Sequence, residues 1–148
     1  MAAFMSLLFP FTHAVNENTR RLDAKNNAMQ LAIATKQFHA EYGHLPLSSA
    51  NDSADLSPEN GVLLDVLRAR DEQENPRGIV FFESREDRFR GSALVDPWGQ
   101  PYRIVLDTNG DGQINVGNKM LRTPVAVWSI GKNGRDEAGA GDDIPSWK

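Results

Sequence analysis

The 148-residue chain contains no cysteine, which excludes disulfide bonds, cysteine nucleophiles and thiolate metal sites. Its three histidines, His13, His39 and His44, do not have the spacing of zinc ligands. A phosphate-binding glycine loop and a serine nucleophile elbow are also absent. Neighbouring carboxylates occur only in acidic loops, where we do not expect raised pKa values. We therefore predict that the protein is not an enzyme and has no catalytic residues.

Positive charge is scarce as well. Sixteen lysines and arginines stand against twenty aspartates and glutamates, so the formal net charge is -4, and the basic residues form no cluster. A protein that binds nucleic acid usually carries a basic patch. We predict that nucleic acid is not a partner. The length is that of one domain with a modest core.

The sequence has no apolar run long enough to cross a bilayer, which needs about 20 residues. Residues 1–11 are nearly all apolar, but they lack the basic start and the cleavage pattern of a signal peptide. From Thr12 the chain becomes polar and amphipathic. We predict a long helix that ends at Gly43, because Pro46 prevents its continuation. Its apolar stripe is predicted to pack on a sheet and comprises Leu22, Ala28, Leu31, Thr35, Phe38 and Tyr42.

The middle of the chain predicts a short second helix followed by strands. Ser57, Pro58 and Glu59 form a typical helix start, and the helix should continue to about Arg70. Its inward residues are predicted to be Val62, Leu63, Val66 and Leu67. Two strands are expected next, a buried one at 79–82 and a half-exposed one at 102–106.

Two segments near the C-terminus are the most informative. Residues 96–102 read Asp-Pro-Trp-Gly-Gln-Pro-Tyr, a rigid turn with apolar mass to hold it on a core. Residues 124–130 predict a strand that enters a glycine-rich loop, and this loop ends on Asp142 and Asp143. Carboxylates and backbone carbonyls could order such a loop around a hard cation. The alternative is a solvated acidic tail.

The combination resembles the major pseudopilins of type II secretion and related type IV pilin-like proteins. In that family an Asp-Pro-Trp-Gly-x-Pro-Tyr turn is followed by a strand, Ser-x-Gly-x-Asp-Gly, then Asp-Asp-Ile and a tryptophan. Here the matching residues are 96–102, Ser129–Gly134, Asp142–Ile144 and Trp147. The resemblance implies an α+β fold in which a long N-terminal helix packs on a small antiparallel sheet, with a short second helix and a C-terminal calcium loop.

The resemblance also implies a set of calcium ligands. The side chains would be those of Asn133, Asp142 and Asp143, and the backbone carbonyls of Ile130 and Lys132 would complete the site. The family usually has aspartate at the position of Asn133, so this chain has one negative charge less. The site is therefore expected to be weaker, or to use one of the neighbouring acids, which are Asp136 and Glu137.

For the N-terminus, the resemblance implies that residues 1–11 are the second half of a membrane helix, with Pro10 at its kink. Residues 12–148 would then be a single pilin-like domain. The family's processing site and Phe-Thr-Leu-Ile-Glu start are absent, so the given chain is expected to begin within that helix.

What the resemblance implies for function is a structural subunit of a type II secretion pseudopilus or a type IV pilus-like filament. The full-length form would build a helical homo-oligomer with other pilin-like subunits and inner-membrane assembly proteins. The helix would sit in the inner membrane of a bacterial envelope, with a periplasmic or extracellular head. Two alternatives stay open, a minor pilin with a binding role and a calcium-dependent extracellular binding module.

A second loop has the spacing of a calcium-loop start. Asp107, Asn109 and Asp111 alternate before Gly112, but the twelfth residue is Asn118 and not the glutamate that the pattern requires. The alternative is a hairpin turn between strands at 102–106 and 114–116, with weak calcium binding possible in addition.

Overall fold

The computed structural model describes residues 9–48, 54–56 and 60–148. Helix α1 spans Phe9–Tyr42 and ends as predicted at Gly43, whose φ is 78° and whose N–H donates to the carbonyl of His39 at 2.8 Å. The part of the N-terminal apolar segment before residue 9 lies outside the described residues. Among the described helices, none combines the length and the apolar character that a bilayer crossing requires.

Helix α1 packs on a four-stranded antiparallel sheet, which confirms the predicted α+β, pilin-like fold. The two central strands are β4 (Arg103–Leu106) and β7 (Val125–Ser129), and the residue pairs run from Arg103 with Trp128 to Leu106 with Val125. The edge strands are β1 (Ala54–Asp55) and β8 (Ile144–Pro145). Two small hairpins lie outside this sheet: β2 (Phe89–Arg90) with β3 (Ala93–Leu94), and β5 (Ile114–Val116) with β6 (Lys119–Leu121).

The larger core lies between α1, the second helix and one face of the sheet. From α1 it contains Ala28, Leu31 and Phe38, and from the central strands it contains residues such as Ile104 and Val127. Leu22 was predicted to belong to this stripe, and that prediction is wrong because 62% of Leu22 is exposed. Leu22 and Leu31 are nine residues apart, which places them on opposite sides of a helix.

The second helix, α2, spans Gly61–Leu67 and is shorter than predicted. It ends at Leu67 because Ala69 adopts a φ of 58°, in the left-handed region that interrupts a helix. Its predicted start at 57–59 lies outside the described residues. Leu63, Val66 and Leu67 are buried as expected, whereas Val62 is half-exposed and not inward.

The apolar run 79–82 forms no strand, so its prediction as a buried strand is wrong. The N–H groups of Phe81 and Phe82 both donate to the carbonyl of Leu67, at 2.8 and 3.1 Å. The run therefore closes the end of α2 and does not extend the sheet. As a result only Phe82 of this run is buried, and Val80 is 50% exposed. Strand β4 was predicted to be half-exposed, but three of its four residues are buried.

The predicted turn at 96–102 is present and is organised by a buried carboxylate. Asp96 is 3% exposed, and its Oδ1 accepts hydrogen bonds from the N–H groups of Trp98 at 3.0 Å and Gln100 at 2.9 Å. Its Oδ2 accepts the hydroxyl of Ser129 at 2.6 Å. Tyr102 is fully buried and Trp98 is half-buried. Burial raises the pKa of Asp96, although these hydrogen bonds act in the opposite direction.

This shifted pKa predicts a pH-dependent stability. A carboxyl whose pKa is raised on folding stabilises the folded state most when protonated, below its unfolded value of 3.8. That contribution is lost as the pH rises through the folded pKa. In urea unfolding experiments we expect the wild type to gain stability relative to Asp96→Asn as the pH falls from 7 toward 4. The gain is limited to about 1.4 kcal/mol for each unit of pKa shift. Asp111→Asn, at an exposed position, is the control, and a pH-independent difference for Asp96→Asn would contradict the prediction.

Candidate metal-binding loop

The loop between β7 and β8 begins at a hydrogen-bonded junction with the turn at 96–102. The hydroxyl of Ser129 donates to Asp96 and accepts the N–H of Gly131 at 3.0 Å. Gly131 has a φ of 65°, and a Cβ atom there would lie 2.5 Å from the carbonyl oxygen of Asp142. Glycine therefore lets the start of the loop approach its end closely. The two C-terminal motifs of the sequence thus form one structural unit.

The middle of the loop is fixed to the sheet by Asp136. Its Oδ1 accepts the indole N–H of Trp128 at 3.0 Å, and its Oδ2 lies 3.5 Å from Nε of Arg103. The ring of Trp147 packs edge-on against that of Trp128, with centroids 5.8 Å apart. Asp136 was one of two acids considered as a substitute calcium ligand. Its carboxylate is instead directed toward the sheet.

Three other acids of the loop come together. Glu137, Asp142 and Asp143 each offer one carboxylate oxygen, and these three oxygens lie within 4.8 Å of one another. Calcium binds oxygen at about 2.3–2.6 Å, so two ligands on opposite sides of one ion are about 5 Å apart. The cluster therefore has the dimensions of a single calcium site. Asp142 and Asp143 belong to the predicted ligand set, and Glu137 was the second substitute acid.

Two oxygens of this cluster lack hydrogen-bond donors. Asp143 is 5% exposed, and its Oδ2 accepts the N–H groups of Glu137 and Gly139, both at 2.9 Å. Its Oδ1 is buried and accepts no hydrogen bond from any described residue, and the same is true of Oδ1 of Asp142. A buried carboxylate oxygen without a partner is unfavourable. A cation would provide the missing partner, so the donor set fits calcium.

The electrostatics of the cluster also suit a cation. Burial raises the pKa of Asp143, and the charges of Asp136 and Glu137 raise it further, against the effect of two backbone N–H donors. The expectation that carboxylates in the acidic loops keep ordinary pKa values is therefore wrong for this residue, because the loop is packed on the sheet. Within the described part of the chain, no lysine or arginine forms an ion pair with any of the three clustered acids.

Asn133 lies beside the cluster, but its oxygen is directed elsewhere. Oδ1 accepts the N–H of Arg135 at 2.7 Å, while the amino group donates to Oε2 of Glu137 at 3.2 Å. Ile130 is buried in a second, smaller apolar cluster, which lies on the face of the sheet opposite α1. The amino group of Lys132 lies 4.0 Å from Glu17 on α1. Carbonyl ligation by Ile130 and Lys132 stays a prediction.

The second candidate loop is organised by its own backbone. The carboxylate of Asp107 is buried and accepts the N–H groups of Gly110 at 2.9 Å, Asp111 at 3.2 Å and Gly112 at 2.7 Å. Asn109 and Asp111 also bond to each other. The interpretation as a hairpin turn between paired strands is wrong, because β5 pairs with β6 and not with β4. Weak calcium binding at this loop stays a prediction.

Comparison with known proteins gives one family. The family model described as "Protein of unknown function (DUF1559)" matches residues 13–92, which is more than half of the chain. No curated protein and no solved structure matches. The matched region ends before the turn at Asp96. The family match therefore says nothing about the carboxylate loop, whose interpretation depends on its own residues and geometry.

The packing of the loop predicts an unequal effect of two glycine substitutions. A Cβ at Gly139, where φ is 76°, would lie 2.4 Å from the ring of Trp147, whereas a Cβ at Gly134, where φ is 66°, would meet nothing within 4 Å. Gly134→Ala should cost only about 1 kcal/mol of backbone strain. Gly139→Ala should cost about 1–3 kcal/mol more, since the overlap displaces Trp147 from Trp128. Thermal unfolding of both variants measures this, and equal losses would show that the loop is not packed on Trp147.

Proposed function

Because the chain belongs to the DUF1559 family, which is found among bacterial pilin-like proteins, and has a pilin-like fold, we propose that it is a filament subunit. The filament would be of the pseudopilus or type IV pilus-like class, and its subunits would contact one another through α1. The observation that carries this proposal is a second apolar stripe on that helix, on the side facing away from the sheet.

This outer stripe consists of Leu22, Met29 and Ile33, which are 62%, 41% and 50% exposed. At 100° per residue, the three positions lie within about 40° of one another and roughly opposite Leu31, which faces the core. Exposed apolar residues scattered singly are ordinary, but three of them on one side of a helix can form part of a contact surface. A helix with apolar residues on two opposite sides can pack against its own domain with one side and against another helix with the opposite side.

The partner that fits the outer stripe is a second copy of this chain. The exposed residues from Asn18 to Ala40 include no carboxylate. The amides of Asn26, Gln30 and Gln37 lie on one side of the stripe, and Lys36 lies on the other. Two such surfaces can meet without burying an acid. In the sequence, the seven-residue spacing from Met29 to Leu22 continues to Val15 and then to Leu8. Leu8 belongs to the apolar N-terminal segment 1–11, and Val15 follows it closely. Seven-residue spacing is typical of helices that pack against helices.

In the proposed filament, the N-terminal segment would lie in the inner membrane before assembly and in the helical core afterwards. The domain of residues 12–148 would face the periplasm or the exterior, and other pilin-like subunits and assembly proteins would be its partners. The role would be structural and not catalytic. The net charge of -4 does not favour a role in nucleic-acid binding.

Site-specific crosslinking tests the filament contact. A photoreactive amino acid at position 29 or 33 of the full-length form, produced in bacterial cells that contain its assembly proteins, should give crosslinked products at multiples of the subunit mass. Met120 is the matched control, because it is apolar and 58% exposed but lies on the β5–β6 hairpin. Position 120 should give no such ladder. A ladder from position 120 alone, or from none of the three, would contradict the proposal.

We also propose that calcium stabilises the C-terminal loop. Two buried carboxylate oxygens that accept no hydrogen bond from the described residues support this proposal. The ligands would come from Asp142 and Asp143, with further oxygens from the neighbouring loop. When bound, the cation would compensate the negative charge that the folded loop concentrates. Its role would be that of a structural link, comparable to the disulfide that a chain without cysteine lacks.

Calcium-linked stability is the second testable prediction of the proposal. If calcium binds only the folded chain, a hundredfold excess over Kd should raise the free energy of unfolding by about 2.7 kcal/mol. Replacing Asp142 and Asp143 together by alanine should abolish most of this gain. Replacing Asp107 and Asp111 together should leave most of it, since that loop lacks the closing acid. Melting curves with calcium and with chelator measure the gain. An identical wild-type midpoint in both conditions would refute the calcium proposal and leave the fold assignment unaffected.

A further inference from the structure

We infer that Glu137 is the third carboxylate ligand of the calcium loop and takes over the role expected at position 133. The inference rests on the proposed calcium binding and concerns which residues of this chain carry it. In this assignment, Asn133 holds the Glu137 carboxylate in position and does not itself coordinate the calcium ion. Four observations support this exchange of roles.

The first observation is the orientation of the Asn133 amide. Its oxygen accepts the backbone N–H of Arg135 at 2.7 Å, and a backbone N–H can only be satisfied by an acceptor. This contact fixes which end of the amide is the oxygen. The end that approaches the cluster is therefore the amino group, 3.2 Å from Oε2 of Glu137. An amino group cannot coordinate a cation, but it can hold a carboxylate in position.

The second observation is the room that the loop leaves for the Glu137 carboxylate. A Cβ atom at Gly141 would lie 2.0 Å from Oε2 of Glu137, so any residue other than glycine would collide with this carboxylate. The same oxygen accepts the N–H of Asp142 at 3.2 Å. The side chain therefore folds back over the loop, although Glu137 belongs to the exposed residues.

The third observation is the arrangement of the three acids. The clustered oxygens of Glu137, Asp142 and Asp143 lie within 4.8 Å, as the ligands of one calcium ion do. The fourth is independent of that cluster geometry. Asp143 is 5% exposed, and its Oδ1 accepts no hydrogen bond from the described residues. Coordination of a cation would satisfy this buried acceptor.

Calorimetric titration of calcium into the metal-free chain tests the inference. Glu137→Gln keeps the length of the side chain and removes its charge, and it should weaken calcium binding by roughly tenfold or more, because affinity follows the number of charged ligands. Glu83→Gln is the matched control. It makes the same substitution at an exposed acid outside the loop, so its affinity should stay within about threefold of the wild type.

The double variant Asn133→Asp with Glu137→Gln gives the sharper result. It moves the carboxylate from position 137 to position 133, where the pseudopilin pattern has aspartate, and it should recover most of the lost affinity. Circular dichroism in chelator shows whether each variant folds, and Gly141→Ala, which would displace the Glu137 carboxylate, gives a second route to the same loss of binding. Gly134→Ala, with the same type of backbone and open space, is its control.

The outcomes separate this inference from the calcium proposal. If the wild type binds calcium and Glu137→Gln binds equally well, Glu137 is not a ligand and the inference is overturned. An equal loss in Glu83→Gln would also overturn it, because the effect would then be one of general charge. Failure of the wild type to bind calcium would overturn both proposals. Loss in Glu137→Gln with recovery in the double variant would support the assignment.

Discussion

The fold depends on covering strand β7, which is buried along its whole length. Val125 and Val127 face the core beneath α1, whereas Ala126 and Trp128 belong to the second cluster on the other face of the sheet. A sheet whose edge strands have two residues each cannot bury such a strand on both faces by itself. The helix covers one face. The β5–β6 hairpin and the C-terminal loop must cover the other, and this requirement determines how the loop is built.

The loop has little apolar material for this task, chiefly Ile130 and Ala138, and Trp147 beyond β8 adds to it. Polar contacts therefore supply most of its order: Ser129 with Asp96 at the start, and Asp136 with Trp128 in the middle. Each of these contacts satisfies a buried polar group, so the loop can lie close to the sheet. The same close packing brings Glu137, Asp142 and Asp143 together and buries Asp143, which explains why burial is the main cause of the raised pKa of Asp143.

Features encoded by a few adjacent residues could be predicted from the sequence, and those that depend on distant packing could not. The helix stop at Gly43 and the turn at Asp96 follow from local backbone chemistry. The apolar run 79–82 has the composition of a strand, but its N–H groups are used at the end of α2. Leu22 was assigned to the wrong side of the helix because a step of six positions, from Leu22 to Ala28, does not return to the same side. At the site, the motif indicated Asp142 and Asp143, whereas the side-chain orientation at 133 is set by Arg135 and has no periodic signal.

The basic residues of α1 explain why the acidic cluster keeps its charge uncompensated. Arg21 contacts the backbone carbonyl of Asp142 at 3.5 Å, and Lys25 donates to the carbonyl of Pro145 at 2.5 Å. Both side chains therefore reach the region of the loop but bind its backbone and not its carboxylates. Such contacts fix the loop to the helix without neutralising the cluster. A site that is rigidly held, negative and incompletely hydrogen-bonded favours a small divalent cation over a lysine or arginine side chain, whose charge would need more space. In this way the helix that is proposed to join the subunits also supports the loop that is proposed to bind calcium.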